Sequence, residues 1–142
     1  MSYSLAFSQS LFLVLYVATK VEQGLYEFTP TQQISQDLNI PPSTAGMLLR
    51  RLTRAGIMES REGANGGIRL AMPPDKVSIL DIFKAIEQER PLFQTNIRLN
   101  VTGAKVTKAQ STILDVLGNA EDAMKHSLGT VTVRDLMHTV SR

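Results

Sequence analysis

In the string PSTAGMLLRRLTRAG, Arg50, Arg51 and Arg54 stand close behind two hydroxyls, Ser43 and Thr44, and a thioether, Met47. A guanidinium presents a rigid fork of donors that matches phosphate oxygens and the edge of guanine. A hydroxyl donates or accepts at a base edge, and a thioether can touch a thymine methyl. A little further on, IMESREGANGGIRLA holds Arg61 and Arg69 on either side of Gly63, Asn65, Gly66 and Gly67. The chemistry these residues offer is recognition of a polyanion with readable edges, and double-stranded DNA is the leading partner. The charge distribution agrees. Residues 1–42 carry Lys20 against Glu22, Glu27 and Asp37, whereas residues 43–72 carry five arginines against Glu59 and Glu62. The net charge of +2 hides a local positive field carried in that stretch by arginine alone.

Other chemistries find little material. The chain has no cysteine, so disulfides, thiolate metal sites, cysteine-ligated iron–sulfur clusters and thiol redox sensing are all excluded. Its two histidines are His126 and His138; Asp135 lies one helical turn from the latter, a spacing that reads as a surface pair rather than a metal or catalytic site. The Gly63 to Gly67 segment lacks the Lys-Ser/Thr that follows a phosphate-binding loop. No catalytic set, metal or cofactor is expected. The apolar run at residues 11–18 is shorter than the ~20 residues of a membrane span, so the expectation is a cytoplasmic protein without signal peptide or anchor.

The elements that position the arginines follow from periodicity. Residues 4–23 lack Gly and Pro and are apolar nearly all round, which predicts a buried first helix. Thr29 with Gln32 three residues later is a capping-box pattern and Pro30 suits a first helical position, predicting a short helix over 30–38 that stops at Asn39. From Pro42 to Gly56 a third helix turns Ala45, Leu48, Leu49 and Leu52 to the core and leaves Ser43, Met47, Arg50 and Arg54 opposite, flanked by Thr44 and Arg51. A short helix, a tight turn and an arginine-faced helix form a helix-turn-helix reader. Gly46 costs that helix about 1 kcal/mol relative to Ala; close approach of DNA or a tight crossing of the second helix would account for it. Residues 57–61 and 68–71 predict two strands, with 62–67 as the loop in which Gly and Asn supply positive φ. This is a wing, placed so that Arg61 and Arg69 straddle a phosphate backbone and Asn65 enters a minor groove.

Beyond the wing, Ser78 caps a further core helix. Residues 90–105 read as a loop, in which Leu92, Phe93, Ile97, Leu99 and Val101 either cover the core or line a pocket for a small organic effector between the winged domain and the next helix. A long helix over 106–127 carries Ile113, Val116, Leu117, Ala120 and Met124 on one stripe, more apolar surface than a protruding helix leaves wet, so a homodimer is expected through it. A short helix ends the chain. The fold class is mainly α with a small two-stranded wing, divided into a winged helix-turn-helix domain over 1–89, a connecting loop over 90–105, and a dimerisation helix with a short terminal helix over 106–142.

This order of elements, with the strings LLRRLTRAGIMES, NGGIRLA and VSILDIFKAIE, resembles the Rrf-type winged-helix transcription regulators over essentially the whole chain. The resemblance implies a bacterial homodimeric DNA-binding regulator, a repressor by preference, that reads bases from the start of its recognition helix, here residues 41–47. It also implies a cluster-free member. Sensing members carry three cluster-ligating cysteines in the stretch corresponding to residues 91–105, where this chain has none. Ile68 stands where an aromatic is common, and Glu62 where the family's wing arginine is expected, with Arg61 one position earlier. A winged-helix protein-interaction module would account for the fold but not for the arginine face.

Overall fold

The computed structural model describes residues 5–140, and Ser4, Ser141 and Arg142, expected helical positions, lie outside the described residues. The order is α1 (Leu5–Glu22), α2 (Thr31–Leu38), α3 (Pro42–Arg54), β1 (Met58–Arg61), β2 (Gly67–Leu70), a single 3-10 turn (Pro74–Lys76), α4 (Ile79–Glu87), α5 (Ala104–Gly129) and α6 (Val133–Val140). By length and composition α1 could cross a membrane, but Leu13, Val14, Val17 and Ala18 are buried in the protein's own core. There they meet Ile34 of α2, Leu48 and Leu52 of α3, and Ile82 and Ile86 of α4. Phe7 and Phe83 lock α1 onto α4 edge to face, with ring centroids 5.2 Å apart.

The predicted stops hold where local chemistry alone decides them. Asn39 adopts the left-handed conformation at φ 52°, which an Asn tolerates, and the two prolines that follow start α3. Ser78 caps α4 reciprocally with Asp81. Thr132 and Asp135 do the same for α6: the Asp135 amide donates to the Thr132 hydroxyl at 3.1 Å and the Thr132 amide to the carboxylate at 2.9 Å. These bonds hold the Asp135 carboxyl below the usual carboxylate range.

The capping box expected at Thr29 and Gln32 does not form. Pro30 is the cap residue of α2, and no side chain bonds to it. Thr29 is instead drawn into the wing, its amide and carbonyl paired with Ile68 at 2.8 Å each way. A buried backbone segment must pair its polar groups, and pairing beside the hairpin satisfies both at once. The cost falls on the side chain: the Thr29 hydroxyl is buried without a hydrogen-bond partner.

Two further expectations meet different outcomes. α6 returns to the winged domain, where Val133 and Met137 are buried in the common core, and the Ile79 and Val133 amides stitch its start to that of α4 at 2.9 Å. The loop before α5 does not cover the core, because Phe93, Ile97, Leu99 and Val101 are all exposed.

Candidate nucleic-acid interface

α3 is built to show one face. Ala45, Leu48, Leu49 and Leu52 are buried, while Ser43, Arg50 and Arg54 are exposed and Thr44 and Met47 half-buried at the margin. Pro41 precedes its first turn without a side-chain cap, Pro42 has no N–H and the Ala45 amide donates to the Pro41 carbonyl, so the Ser43 and Thr44 amides are the ones left for an anion. Next to it, α2 is fixed against α1 by the Tyr16 hydroxyl, which donates to Asp37, while Gln33 donates to the same carboxylate at 2.9 Å. Those two bonds, Tyr16's foremost, hold Asp37 below its ordinary range. Burial, then Asp37, pushes the Tyr16 hydroxyl up to about 12.

Gly46 lies on α3 without the crossing that would explain it. A Cβ built there meets only Arg50 Nη1, at 3.4 Å, among the described residues. No atom of α2 comes that close.

The arginines divide into two kinds. Arg50 and Arg54 are exposed on α3 without an ion pair among the described residues. Arg51 turns the other way and donates through Nη1 to the Ile86 carbonyl at 2.8 Å, satisfying the C-terminal end of α4 and tying the two helices together.

On the wing, β1 and β2 pair antiparallel with Glu59 opposite Arg69 and Arg61 opposite Gly67. Arg61 and Arg69 therefore stand side by side on one face, and the straddling arrangement expected of them is not formed. Both guanidinium carbons lie over the buried ring of Phe28, 4.2 and 4.3 Å from its centroid. Both reach Glu27 at 3.5 Å, and Arg69 bonds Glu59 at 2.5 Å. Their charge is matched by carboxylates, and their planar groups find more contact on an aromatic face than in water. Phe28 and Glu27 were invisible as partners in the sequence because they join the wing through the single Thr29–Ile68 bridge, too short to leave a periodic signal.

The tip folds around its glycines. Gly67, at φ 147°, would bring a Cβ within 2.1 Å of the Thr29 carbonyl, and a Cβ on Gly66 would meet the Arg61 carbonyl at the same distance. Gly63 takes φ 100°. Asn65 is not in the left-handed region; it sits exposed at the tip with its carbonyl accepting from Arg61 at 2.8 Å.

α5 has no buried residue over its 26 positions, a length of about 39 Å at the usual rise. Ile113 and Val116 are 59 and 60% exposed, Ala120 is exposed, and Leu117 and Met124 are half-buried. The preceding loop is pinned to this helix where the Leu92 amide donates to Glu121. Between them lies a hollow of about 300 Å³ lined by Ile97, Leu99, Ile113 and Leu117 among others. Among the described residues, none of the winged domain lines it.

A helix pair joined by a tight turn and followed by a hairpin wing defines a winged helix-turn-helix protein. The Rrf2 family, described as "Iron-dependent Transcriptional regulator", matches residues 3–139, and the chain belongs to it. It is a transcriptional regulator and not an enzyme. The HTH-type transcriptional regulator NsrR of Shouchella clausii is 28% identical over 128 residues, covering 90% of this chain and 83% of that protein. The putative HTH-type transcriptional regulator YwgB of Bacillus subtilis is 34% identical over 64 residues, 45% of this chain and 41% of its own length. In fold, the chain is similar to the solved structure of CymR (YrzC), the global cysteine regulator of B. subtilis, with a TM-score of 0.68 at 21% identity and 98% of each chain covered.

Proposed function

We propose that this regulator acts in the cytoplasm as a homodimer that represses transcription by occupying a palindromic operator. The observation that carries the reading is the division of labour among the arginines: Arg50 and Arg54 of α3 stay out of ion pairs among the described residues, while both wing arginines and Arg51 have a partner within the protein. Arg50 and Arg54 contact phosphates. Ser43, Thr44 and Met47, at the uncapped start of the helix, read base edges, and Gly46 lets the DNA backbone or a base edge come close. On the wing, Asn65 is the residue offered to the minor groove, with Arg61 and Arg69 chiefly shaping the hairpin on Phe28.

The dimer forms through α5. Its stripe of Ile113, Val116, Leu117, Ala120 and Met124 is exposed or only half-buried in the protomer, with Ile113 and Leu117 partly facing the loop, and a second copy covers it. The loop hollow shares Ile113 and Leu117 with that stripe, so the second copy competes with an effector for it, and the loop is the weaker place for a ligand.

The family description speaks of iron, and this chain does not fit a cysteine-ligated cluster. It has no cysteine, and residues 90–105 contain no His, Asp or Glu to replace one. Among the described residues no three His, Asp or Glu side chains gather as a metal site. Any signal that the regulator answers is therefore something other than assembly of a cysteine-ligated cluster. Selection of duplexes from a random library by the purified protein tests the reading. Enrichment of a palindrome with half-sites an integral number of helical turns apart is the expected result; an unenriched pool would overturn it.

A further inference from the structure

A second open hollow of this protein lies away from the loop. It lies between the wing and the paired helices α1 and α6, with a volume of about 480 Å³, and no step of DNA reading uses it. Its floor is apolar, with Val21, Met72 and Met137 among the lining side chains. Its walls are charged with both signs. On the helical side Glu22 of α1 pairs with Arg134 of α6 at 2.7 Å; on the wing side Glu59 pairs with Arg69 at 2.5 Å.

Neither pair is needed to hold the fold. All four side chains are a third to a half exposed, and ion pairs in that setting contribute little to stability. Their joint effect is on what the cavity accepts. A ligand bearing only negative charge meets Glu22 and Glu59, and one bearing only positive charge meets both arginines. A molecule with a carboxylate and an ammonium group close together can offer each sign its opposite at once. A guanidinium has five donors, so Arg134 can keep Glu22 and still take a ligand carboxylate. An apolar side chain on the same molecule would lie over Met72 and Met137.

We infer that the cavity between the wing, α1 and α6 is an effector site for a small zwitterion with an apolar body, the class of apolar α-amino acids. The site is coupled to the reading head by construction. Arg69, which lines it, also reaches Glu27 and lies over Phe28, so a ligand that draws Arg69 towards itself loosens the platform on which the wing rests. On the other wall, Met137 belongs to α6, the helix that follows directly from α5. The inference concerns binding in the absence of DNA and stands or falls separately from the operator reading.

Methionine-methyl NMR on the full chain tests it, because two of the six methionines, Met72 and Met137, line the cavity and Met47, Met58 and Met124 do not. L-leucine, L-methionine and L-phenylalanine are the probes, with 4-methylpentanoate and 3-methylbutylamine as versions of leucine carrying one charge. At least one amino acid should move the Met72 and Met137 signals together and saturably. Both singly charged analogues should need roughly tenfold higher concentration or more, the factor one charged hydrogen bond supplies. Arg134→Gln and, independently, Glu22→Gln should each raise the leucine midpoint by a similar factor. No movement with any of the three amino acids, equal response to an analogue, or equal movement of Met47 and Met58 would overturn the proposal.

Discussion

Gly46→Ala should make the protein more stable and a worse DNA binder. In the free protein the added methyl lies in open space except for Arg50 Nη1 at 3.4 Å, the far end of a flexible side chain that can shift by a few tenths of an ångström. Replacing a mid-helix glycine by alanine then gains about 0.5–1 kcal/mol. For a chain of 142 residues that corresponds to a rise in Tm of roughly 2–5 °C. On DNA the same methyl occupies the space into which the duplex is held to come. Overpacking a close contact costs about 1–3 kcal/mol, so operator affinity should fall by roughly tenfold or more. Differential scanning fluorimetry and fluorescence anisotropy on the same preparations read the two signs. A lower Tm would mean that the glycine serves the fold after all, and an unchanged affinity would remove Gly46 from the interface.

Three further outcomes follow from the packing. Ile113→Glu should convert the dimer to monomers in sedimentation velocity, since burying an unpaired carboxylate costs far more than one apolar contact contributes; a variant still fully dimeric would move the interface off α5. Thr29→Val should raise stability by about 1 kcal/mol, because it removes a buried hydroxyl that has no partner and keeps the backbone bridge to Ile68; chemical denaturation showing a loss would mean that the hydroxyl is bonded. The Tyr16 hydroxyl should titrate near 12, above its ordinary value of 10.0. Because the folded value is raised, its contribution to stability is complete below about pH 10 and is lost as the pH climbs towards 12. Tyrosinate absorbance should accordingly show a late phase, shifted down in Asp37→Asn and absent in Tyr16→Phe, and an early Tyr16 titration would mean that the α1–α2 contact is open.

What the sequence conveyed and what it withheld divide along the range of the interaction. The core face of α3, the left-handed stop at Asn39 and the cap at Ser78 each depend on neighbours within a turn or two, and each was legible from spacing. The stripe on α5 was legible as an apolar face without its partner. The fate of the wing arginines was not. Arg61 and Arg69 looked free because nothing nearby in sequence binds them, yet Phe28 and Glu27, more than thirty positions earlier, supply both the ring and the carboxylate. Arg51 misled for the same reason: its partner is a backbone carbonyl at Ile86, and a carbonyl carries no residue signature. The capping pattern at Thr29 was a correct local motif that a non-local pairing outcompeted. The charged cavity had no sequence signal at all, since α1, the wing and α6 each contribute only one or two of its charges.

The central claim is that α3 engages DNA through Arg50 and Arg54, and the salt dependence of operator binding tests it most directly. Each phosphate contact contributes about 0.9 to the slope of log affinity against log salt concentration. In a dimer each substitution removes two contacts, so Arg50→Ala and Arg54→Ala should each flatten the slope by roughly two, and the double variant by roughly four, while Arg51→Ala should destabilise the fold and leave the slope of the remaining folded protein close to that of the parent. Parent-like slopes in the Arg50 and Arg54 variants across the same salt series would contradict the account.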